Sequence, residues 1–374
     1  MKILVSGAGM AGLATGMDLT ATGHDVTVIE RAQHLRTNGS PIDIRGEALD
    51  VAENMGILRQ LQDSRVSTTD LSVFIDGAGN VIAALPVQEI NDTADDIEIA
   101  REDLARILHA GLDEHTPVVF GESIRSLHDD GTGVDVVFAS GKTDRFDLVV
   151  GADGMHSITR RLTFGPEGDY LEHLGFYVAL TDLPSARGEA GSNPFLNWPG
   201  HMIGIARYKN EALGVLNFRH DWIDYDYHDL DVQKQILFDT FGDHHEWRVP
   251  EILDAVARDP ELYFDSVSQI HMDDWAKGRV VLVGDAAHCA SNLSGRGASL
   301  AILGAWRLAQ ALRDHPDDLD SVYEQYEVLH RPSVDKAQAF ARPGGDLVMP
   351  ATHEALELRN ARLRDMATDI GGAE

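Results

Sequence analysis

The chain begins with two short apolar runs on either side of a segment whose apolar residues have helical spacing. Similar apolar runs recur farther along the chain. Lys2 to Ser6 is mostly apolar, Met10 to Thr22 carries apolar residues at helical intervals, and Asp25 to Ile29 is apolar again. This order predicts a strand, a helix and a second, parallel strand. Two later apolar runs, Asp147 to Val150 and Arg279 to Val283, are typical of buried parallel strands. The pattern predicts an α/β fold with a Rossmann-like domain on a mostly parallel sheet.

Apolar and polar residues alternate, and aromatic residues are frequent, in residues 71–90 and 171–228. This alternation predicts a second domain with an antiparallel sheet that exposes one face to solvent. His353 to Met366 places Leu356, Leu363 and Met366 on one side and predicts a C-terminal helix. The predicted division is a discontinuous nucleotide-binding domain at 1–70, 98–165 and 270–340, the second domain at 71–97 and 166–269, and a C-terminal helical segment at 341–374.

The composition excludes several kinds of partner and site. The 374 residues are 43% hydrophobic and 25% charged, as in folded globular proteins. A formal net charge of −30 repels nucleic acid and anionic membranes, so neither is an expected partner. Cys289 is the only cysteine, which excludes a disulfide within the chain, and no metal site is predicted. Without a long apolar window or a signal-peptide core, we expect a cytoplasmic protein, either a monomer or a homodimer.

Three glycines follow the first predicted strand directly and open the first predicted helix. Gly7, Gly9 and Gly12 match the G-x-G-x-x-G pattern in the context that the pattern requires. The first glycine permits a tight turn, the second lets the backbone approach a pyrophosphate, and the third allows the helix to pack on the strand. Glu30 ends the next strand, where a carboxylate can accept hydrogen bonds from ribose hydroxyls. The cofactor-binding residues predicted here are Gly7, Gly9, Ala11, Gly12, Glu30 and Arg31, and the dinucleotide is either NAD or FAD.

A second segment, near residue 290, favours FAD. A buried strand delivers Gly284 and Asp285 to its carboxyl end, where ligands bind in open α/β sheets and where an acid can hold a ribityl hydroxyl. The turn from Gly295 to Ser299 then opens a helix of small residues, whose N-terminus would stabilise negative charge on a reduced flavin. A simple NAD dehydrogenase has no use for this second site. The cofactor-binding residues predicted here are Gly284, Asp285, Gly295, Gly297 and Ala298.

With these motifs the chain resembles, over nearly its whole length, the class A flavoprotein monooxygenases, the family of para-hydroxybenzoate hydroxylase and the tetracycline-inactivating monooxygenases. Residues 147–157 match the family's "DG" motif, which implies that Asp153 serves FAD and the reduced nicotinamide. Residues 99–104 match its "R-x-x-L" segment, which implies that Arg101 reaches the ribityl or phosphate portion of FAD. By resemblance to the tetracycline-inactivating branch, Asp43 touches FAD and Arg36 meets NADPH.

The resemblance also implies the reaction. NADPH or NADH reduces FAD, O₂ adds to form a C4a-hydroperoxyflavin, and one oxygen passes to an aromatic or polyketide-like small molecule bound by the second domain. No residue is assigned as a catalytic acid or base. Two alternatives stay open, namely an FAD-dependent dehydrogenase or reductase on the same scaffold and a flavin-binding protein without catalysis. Asn292 replaces a usual proline and Arg296 a usual glutamine, which places the substrate rather than the cofactor in question.

Some histidine, cysteine and aromatic residues could be taken for catalytic, metal-binding or substrate-binding residues, but their context favours a structural role. His288 and Cys289 follow the second motif, but residues at the end of a buried strand are expected to pack and bond locally. His244 and His245 have no third metal ligand at a fitting spacing. Alternate strand positions point to opposite faces, so at most about half of the aromatic residues in the second domain can line a substrate pocket. Those aromatic residues are Phe195, Trp198, Tyr208, Phe218, Trp222, Tyr225 and Tyr227.

Overall fold

The computed structural model describes residues 1–35, 39–66, 72–85, 93–189 and 191–371, with side chains to residue 366. The strands are β1 Lys2–Ser6, β2 Asp25–Glu30, β3 Ile42–Ile44, β4 Ser72–Ile75, β5 Val81–Ala84, β6 Ile97–Ile99, β7 Val118–Phe120, β8 Ile124–Asp129, β9 Val134–Phe138, β10 Thr143–Phe146, β11 Leu148–Gly151, β12 Leu171–Asp182, β13 Asn193–Trp198, β14 His201–Tyr208, β15 Glu211–Arg219, β16 Tyr263–Ile270, β17 Ala276–Lys277 and β18 Val280–Leu282. The helices are α1 Met10–Ala21, α2 Glu47–Asn54, α3 Leu58–Asp63, α4 Arg101–Ala110, α5 Ile158–Thr163, α6 Leu230–Phe241, α7 Val249–Arg258, α8 Asp285–His288, α9 Gly297–Asp314, α10 Leu319–Val348 and α11 His353–Gly371.

A six-stranded sheet in the order β17-β18-β11-β1-β2-β7 forms the centre of the nucleotide-binding part. Strand β1 pairs in parallel with both β2 and β11, and β11 pairs in parallel with β18. Only the short β17 runs antiparallel to its neighbour. Every residue of β11 and β18 is buried, because one face of the parallel sheet packs on helices that include α1 and α9. The other face packs on a three-stranded antiparallel sheet in the order β10-β9-β8. Strands buried on both faces are apolar throughout. The predicted mostly parallel Rossmann-like sheet is confirmed.

A seven-stranded sheet in the order β16-β12-β15-β14-β13-β4-β5 forms the other large layer. Its strands are antiparallel except for the pair β13 and β4, which is parallel. One face packs on α6 and α7 through a cluster that includes Tyr177, Phe218 and Phe241. The other face carries Phe74 and Phe176 and packs on the C-terminal helices. The expectation of a face open to solvent was therefore wrong, since α6 and α7, which lie between β15 and β16 in the chain, cover one face and the C-terminal helices cover the other.

The long helix α10 packs against α9 and continues to the loop between α8 and α9. It runs without interruption through residue 340, so the boundary predicted there falls inside a helix. The predicted C-terminal helix is present as α11, which extends beyond Met366. None of the helices in the described part of the chain could serve as a transmembrane span.

Candidate functional site

The glycine turn between β1 and α1 is built by close backbone approaches. A Cβ on Gly7 would overlap the carbonyl oxygen of Ala152, and a Cβ on Gly12 would overlap the carbonyl oxygen of Gly7. Gly7 also has a φ of +107°, which disfavours a side chain. A Cβ on Gly9, in contrast, would meet no atom within 4 Å. The φ of Gly9 is −72°, a value that any residue can adopt. The turn therefore leaves open space beside Gly9, at the N-terminus of α1, where a phosphate can approach the backbone.

Glu30 holds this turn in place from the end of β2. Its carboxylate accepts hydrogen bonds from the backbone N–H of Ala8 at 2.9 Å and from that of Ala32 at 2.8 Å. Each bond to an ionised acceptor is stronger than a neutral one, so Glu30 fixes both strand ends that border the turn. Arg31 follows with an exposed side chain.

The second predicted segment meets the first at the carboxyl ends of β1 and β18. A Cβ on Gly284 would lie 2.6 Å from the Cβ of Ala11, so only a glycine permits this approach, and its φ is +60°. Helices α1 and α9 pack closely against each other behind the contact. The turns that follow β1 and β18, which come from opposite ends of the chain, thus form one continuous rim.

Asp285 stands on this rim at the start of α8. Its side chain has solvent access, yet protein surrounds it closely enough that desolvation raises its carboxyl pKa, and the charge of Arg101 opposes that shift. Arg101 begins α4, and a Cβ on Gly39 would lie 2.9 Å from its Nε. The structure therefore brings Arg101 and Asp285 to the same cleft.

Asp43 meets the turn that opens α9. The Asp43 carboxylate pairs with Arg45 at 2.7 Å, and a Cβ on Gly295 would lie 3.6 Å from Arg45 Nη2 and 3.9 Å from Asp43 Oδ2. Ser299 ties the two segments together, because its Oγ accepts the N–H of Arg45 at 3.0 Å and donates to the carbonyl of Asp43 at 3.2 Å. Burial raises the pKa of Asp43, and Arg45 and Arg296 oppose the shift. Gly297 and Ala298 form the first turn of α9 at the same place.

Asp153 has a structural task within its own segment. Its carboxylate accepts a short hydrogen bond from the Ser157 hydroxyl, and its other oxygen accepts the N–H and hydroxyl of Thr159, each at 2.9 Å. These bonds satisfy free donors at the N-terminus of α5. Its neighbour Ala152 contacts Gly7, so Asp153 still lies next to the glycine turn. Arg36, predicted to meet NADPH, lies outside the described residues.

His288 and Cys289 are packed rather than exposed. His288 is 2% exposed and lies 4.7 Å from the rings of Trp275 and of His330, and burial lowers its pKa to about 3. Burial raises the pKa of the Cys289 thiol, which donates to the carbonyl of Ser268 at 3.6 Å. Neither side chain is placed as an acid or a nucleophile. No group of histidine, cysteine and carboxylate side chains suited to a metal ion occurs among the described residues.

Sequence reasoning missed the residues that support the site. Arg45 and Ser299 were not assigned, although they join its two segments. Arg160 was also missed. It is fully buried and donates to the carbonyl of Ala286, in the helix that Asp285 begins, at 2.9 Å, and to Glu167 at 3.0 Å. Arginine is rarely buried unless it is paired, so a local sequence pattern gives little indication of such a residue.

Comparison with known proteins agrees with this geometry. The model of a family described as "FAD binding domain" matches residues 1–174 and 263–338. A flavin-dependent monooxygenase from Legionella longbeachae is 34% identical over 91% of this chain and 87% of its own, and an FAD-dependent monooxygenase from Sarocladium schorii is 33% identical over 92% and 87%. The crystal structure of tetracycline destructase Tet(51) superposes with a TM-score of 0.84 at 32% identity, covering 97% of this chain and 95% of that one. The chain therefore belongs to the class A flavoprotein monooxygenases and is an FAD-dependent oxidoreductase.

Proposed function

We propose that this enzyme uses NADPH or NADH and O₂ to hydroxylate an aromatic or polyketide-like small molecule at a flavin held on the rim described above. The observation that carries the proposal is the close approach of Gly284 to Ala11, two residues from the open space at Gly9, together with that of Gly295 to Asp43. A bound FAD supplies the electron transfer and the O₂ chemistry. The likeness to a tetracycline destructase supports a polycyclic substrate.

We assign the predicted cofactor-binding residues to successive parts of an extended FAD. Around the adenosine diphosphate end we place Gly7, Gly9, Ala11, Gly12, Glu30 and Arg31, with Asp153 beside them. Arg101 and Asp285, with Gly284 beneath, bind the middle of the cofactor, where a carboxylate and a guanidinium can hold hydroxyl and phosphate groups. Asp43, Gly295, Gly297 and Ala298 border the ring system, and the N-terminus of α9 stabilises negative charge there. Arg36 stays a prediction for NADPH.

The division into domains supports the same assignment. We propose that residues 1–70, 98–165 and 270–340 bind FAD, and that 71–97 and 166–269 form the substrate-binding domain, with the C-terminal segment from 341 closing one side. Leu293, on the loop before α9, packs against the apolar cluster on one face of the seven-stranded sheet, so this loop joins the two proposed domains. The protein's task is to bind, to orient and to exclude water, and none of these requires an acid or base from the chain.

The assignment is tested by Gly9→Val. We expect a folded protein that purifies without flavin, because the new side chain enters open space that a pyrophosphate needs, while its Cβ meets no protein atom within 4 Å. The matched control is Gly168→Val, since a Cβ there also meets nothing within 4 Å and the backbone is not left-handed. Flavin content is read from absorbance, and folding from the melting temperature. Full flavin content in Gly9→Val would refute the placement of the pyrophosphate.

The reaction is tested separately on the flavin-loaded protein. We expect NADPH or NADH to bleach the flavin, and substrate-dependent consumption of O₂ to place ¹⁸O from ¹⁸O₂ in the product. Reduction of the flavin by a substrate, without oxygen incorporation, would instead identify a dehydrogenase. A flavin that neither nicotinamide bleaches would identify a binding protein without catalysis.

A further inference from the structure

A surface groove runs along the outer side of α10, where the helix passes β17, the edge strand of the parallel sheet. Its volume is about 560 Å³, which is in the range of sites that hold a small ligand or part of a peptide. None of the described residues assigned to FAD lines this groove. We call it the α10 groove, and it is separate from the cofactor site.

Apolar side chains form the centre of the α10 groove. Val328 is 65% exposed, and its neighbour Leu329 is 48% exposed. Pro332, one turn after Val328, and Ala276 of β17 line the groove together with Val328. Single exposed apolar residues are ordinary on a protein surface, but a contiguous apolar patch marks an interaction site. Contact with a partner would remove this patch from water, which is favourable.

Pro332 also leaves a backbone acceptor without its usual partner. In a regular helix the carbonyl of Val328 would accept the N–H of residue 332, but a proline has no N–H. A helical carbonyl points along the axis toward the residue four positions later, so this one lies between two residues that line the groove. A ligand that covers the groove must therefore bring a hydrogen-bond donor, because burial of an unpartnered carbonyl is costly.

Carboxylates lie at both ends of the groove. Glu324 is one turn before Val328 on α10, and Asp335 is two turns after it. Asp274, in the segment before β17, adds a third carboxylate. Within the described ranges, none of these three carboxylates has a hydrogen-bond or ion-pair partner. Cationic groups of a ligand would therefore find free counter-charges at the two ends of the apolar centre.

Arg331 also lines the groove but does not neutralise these carboxylates. It pairs with Glu327 at 2.6 Å and donates to the carbonyls of Met272 at 3.1 Å and Asp273 at 2.7 Å. It also lies 4.4 Å from the centre of the Trp275 ring, and Glu327 accepts the N–H of Trp275 at 2.7 Å. This pair is thus fixed to the segment before β17, and the groove keeps an excess of negative charge.

We propose that the α10 groove docks a basic segment of a partner protein, in which cationic side chains flank an apolar one. The apolar side chain covers Val328 and Pro332, and an N–H of the segment bonds to the Val328 carbonyl. The cations pair with Glu324 and Asp335, which lie about 16 Å apart along the helix, a distance that about five residues of extended chain span. The groove lies outside the cofactor site, so this proposal does not depend on the proposed function.

The test titrates two amidated peptides into the purified protein at about 0.1 M KCl, where charges more than about 10 Å apart are largely screened. Acetyl-Arg-Ala-Leu-Ala-Arg carries two cations around an apolar centre, and acetyl-Arg-Ala-Ser-Ala-Arg carries the same cations around a polar one. We expect calorimetry to show that the leucine peptide binds at least about 5-fold more tightly, because its side chain leaves water. Equal affinities, or no binding of the leucine peptide, would overturn the proposal.

Charge variants show where the leucine peptide binds. Glu324→Gln combined with Asp335→Asn should weaken its binding about 3- to 10-fold, because two ion pairs are lost. The matched control is Asp243→Asn combined with Glu357→Gln, which removes the same charge from two exposed positions outside the groove. It should change the dissociation constant less than about 2-fold, because distant charges are screened. Equal losses in the two proteins would indicate a general attraction to an acidic surface and refute docking in the groove.

Two further variants test the centre of the groove. Val328→Ser should abolish the difference between the two peptides, because the apolar contact is lost. Pro332→Ala returns an N–H to the Val328 carbonyl and should weaken both peptides about 2- to 10-fold without lowering the melting temperature. A leucine preference that survives Val328→Ser would place the peptide elsewhere. A dimer of the unmodified protein that Val328→Ser dissociates would identify a second copy as the occupant and would also overturn the proposal.

Discussion

Burial in the interior of this protein disfavours the charged form of an ionisable side chain, that of Asp18. Asp18 lies in α1 with 4% of its surface exposed, and its Oδ2 atom has no hydrogen-bond partner. Burial raises its pKa from 3.8 to about 8. A raised folded-state pKa means that the folded protein holds this proton more tightly than the unfolded chain, so stability falls as the pH rises from about 4 through about 8.

We therefore expect Asp18→Asn to stabilise the protein increasingly between pH 4 and pH 8. A tenfold difference in proton affinity between the folded and unfolded states corresponds to about 1.4 kcal/mol. We expect a gain of about 2 kcal/mol or more at the upper pH, because the unfolded chain no longer gains from ionisation. Urea unfolding at several pH values measures it.

The control for this variant is Asp50→Asn, at an exposed position of α2. It should change the free energy of unfolding by less than about 0.5 kcal/mol at every pH, as surface substitutions usually do. If the difference between Asp18→Asn and the unmodified protein does not grow with pH, the expectation is contradicted.

At the scale of elements, the hairpin formed by β14 and β15 reaches from the substrate side to the cofactor side. Lys209, at its tip, makes a short ion pair with Asp103 of α4, and the Tyr208 hydroxyl donates to the carbonyl of Gly39 at 3.3 Å. Gly39 lies against the side chain of Arg101, a predicted contact of FAD, and Asp103 follows Arg101 in the first turn of α4. The hairpin thus braces the segment that would hold the middle of the cofactor.

We expect Lys209→Met to raise the rate of FAD dissociation about 2- to 5-fold, which is the effect of losing about 0.5 to 1 kcal/mol from a partly exposed ion pair. The change in flavin absorbance as FAD passes to an excess of apoprotein from another flavoenzyme measures the rate. Lys234→Met removes a lysine of α6 that donates to the carbonyl of Ala257, and it should leave the rate unchanged. The same rate in both variants would argue against a brace.

At the scale of the whole molecule, charge opposes compaction. The chain carries 61 acidic against 31 basic residues, and the resulting net charge of −30 produces repulsion across the surface. Ion pairs on the surface, such as Arg145 with Asp130 and Arg248 with Glu251, offset only part of it. Salt screens the remainder, since the Debye length falls from about 10 Å at 0.1 M to about 3 Å at 1 M.

We expect the melting temperature to rise with KCl by several degrees, on the scale of about 2 °C or more per kcal/mol for a chain of this size. Most of the rise should occur below about 0.3 M, because screening saturates as the Debye length shortens. Exclusion of salt from the surface would instead give a rise that continues in proportion to concentration. Scanning calorimetry from about 0.05 M to 1 M separates the two shapes, and a falling or strictly linear curve would contradict a dominant role for repulsion.

Features that depend on neighbouring residues were readable from the sequence. The Gly7 turn, β1, α1 and β2 follow one another locally, and β11 and β18 are apolar throughout, so the parallel sheet could be predicted from spacing alone. Predictions that depended on how elements pack against one another were less complete. The alternating strands suggested an exposed face, but α6 and α10 cover both sides, and Phe218 and Tyr225 belong to the face opposite Phe195.

By itself the sequence determined the parallel core, the glycine turns and the order of the flavin motifs, because each depends on backbone geometry within a few residues. Only the tertiary structure decided that Gly284 meets Ala11, that Ser299 joins Arg45 to the α9 turn, and that Arg160 braces α8. Such contacts join residues far apart along the chain. They depend on how the layers pack, which no local pattern of residue types specifies.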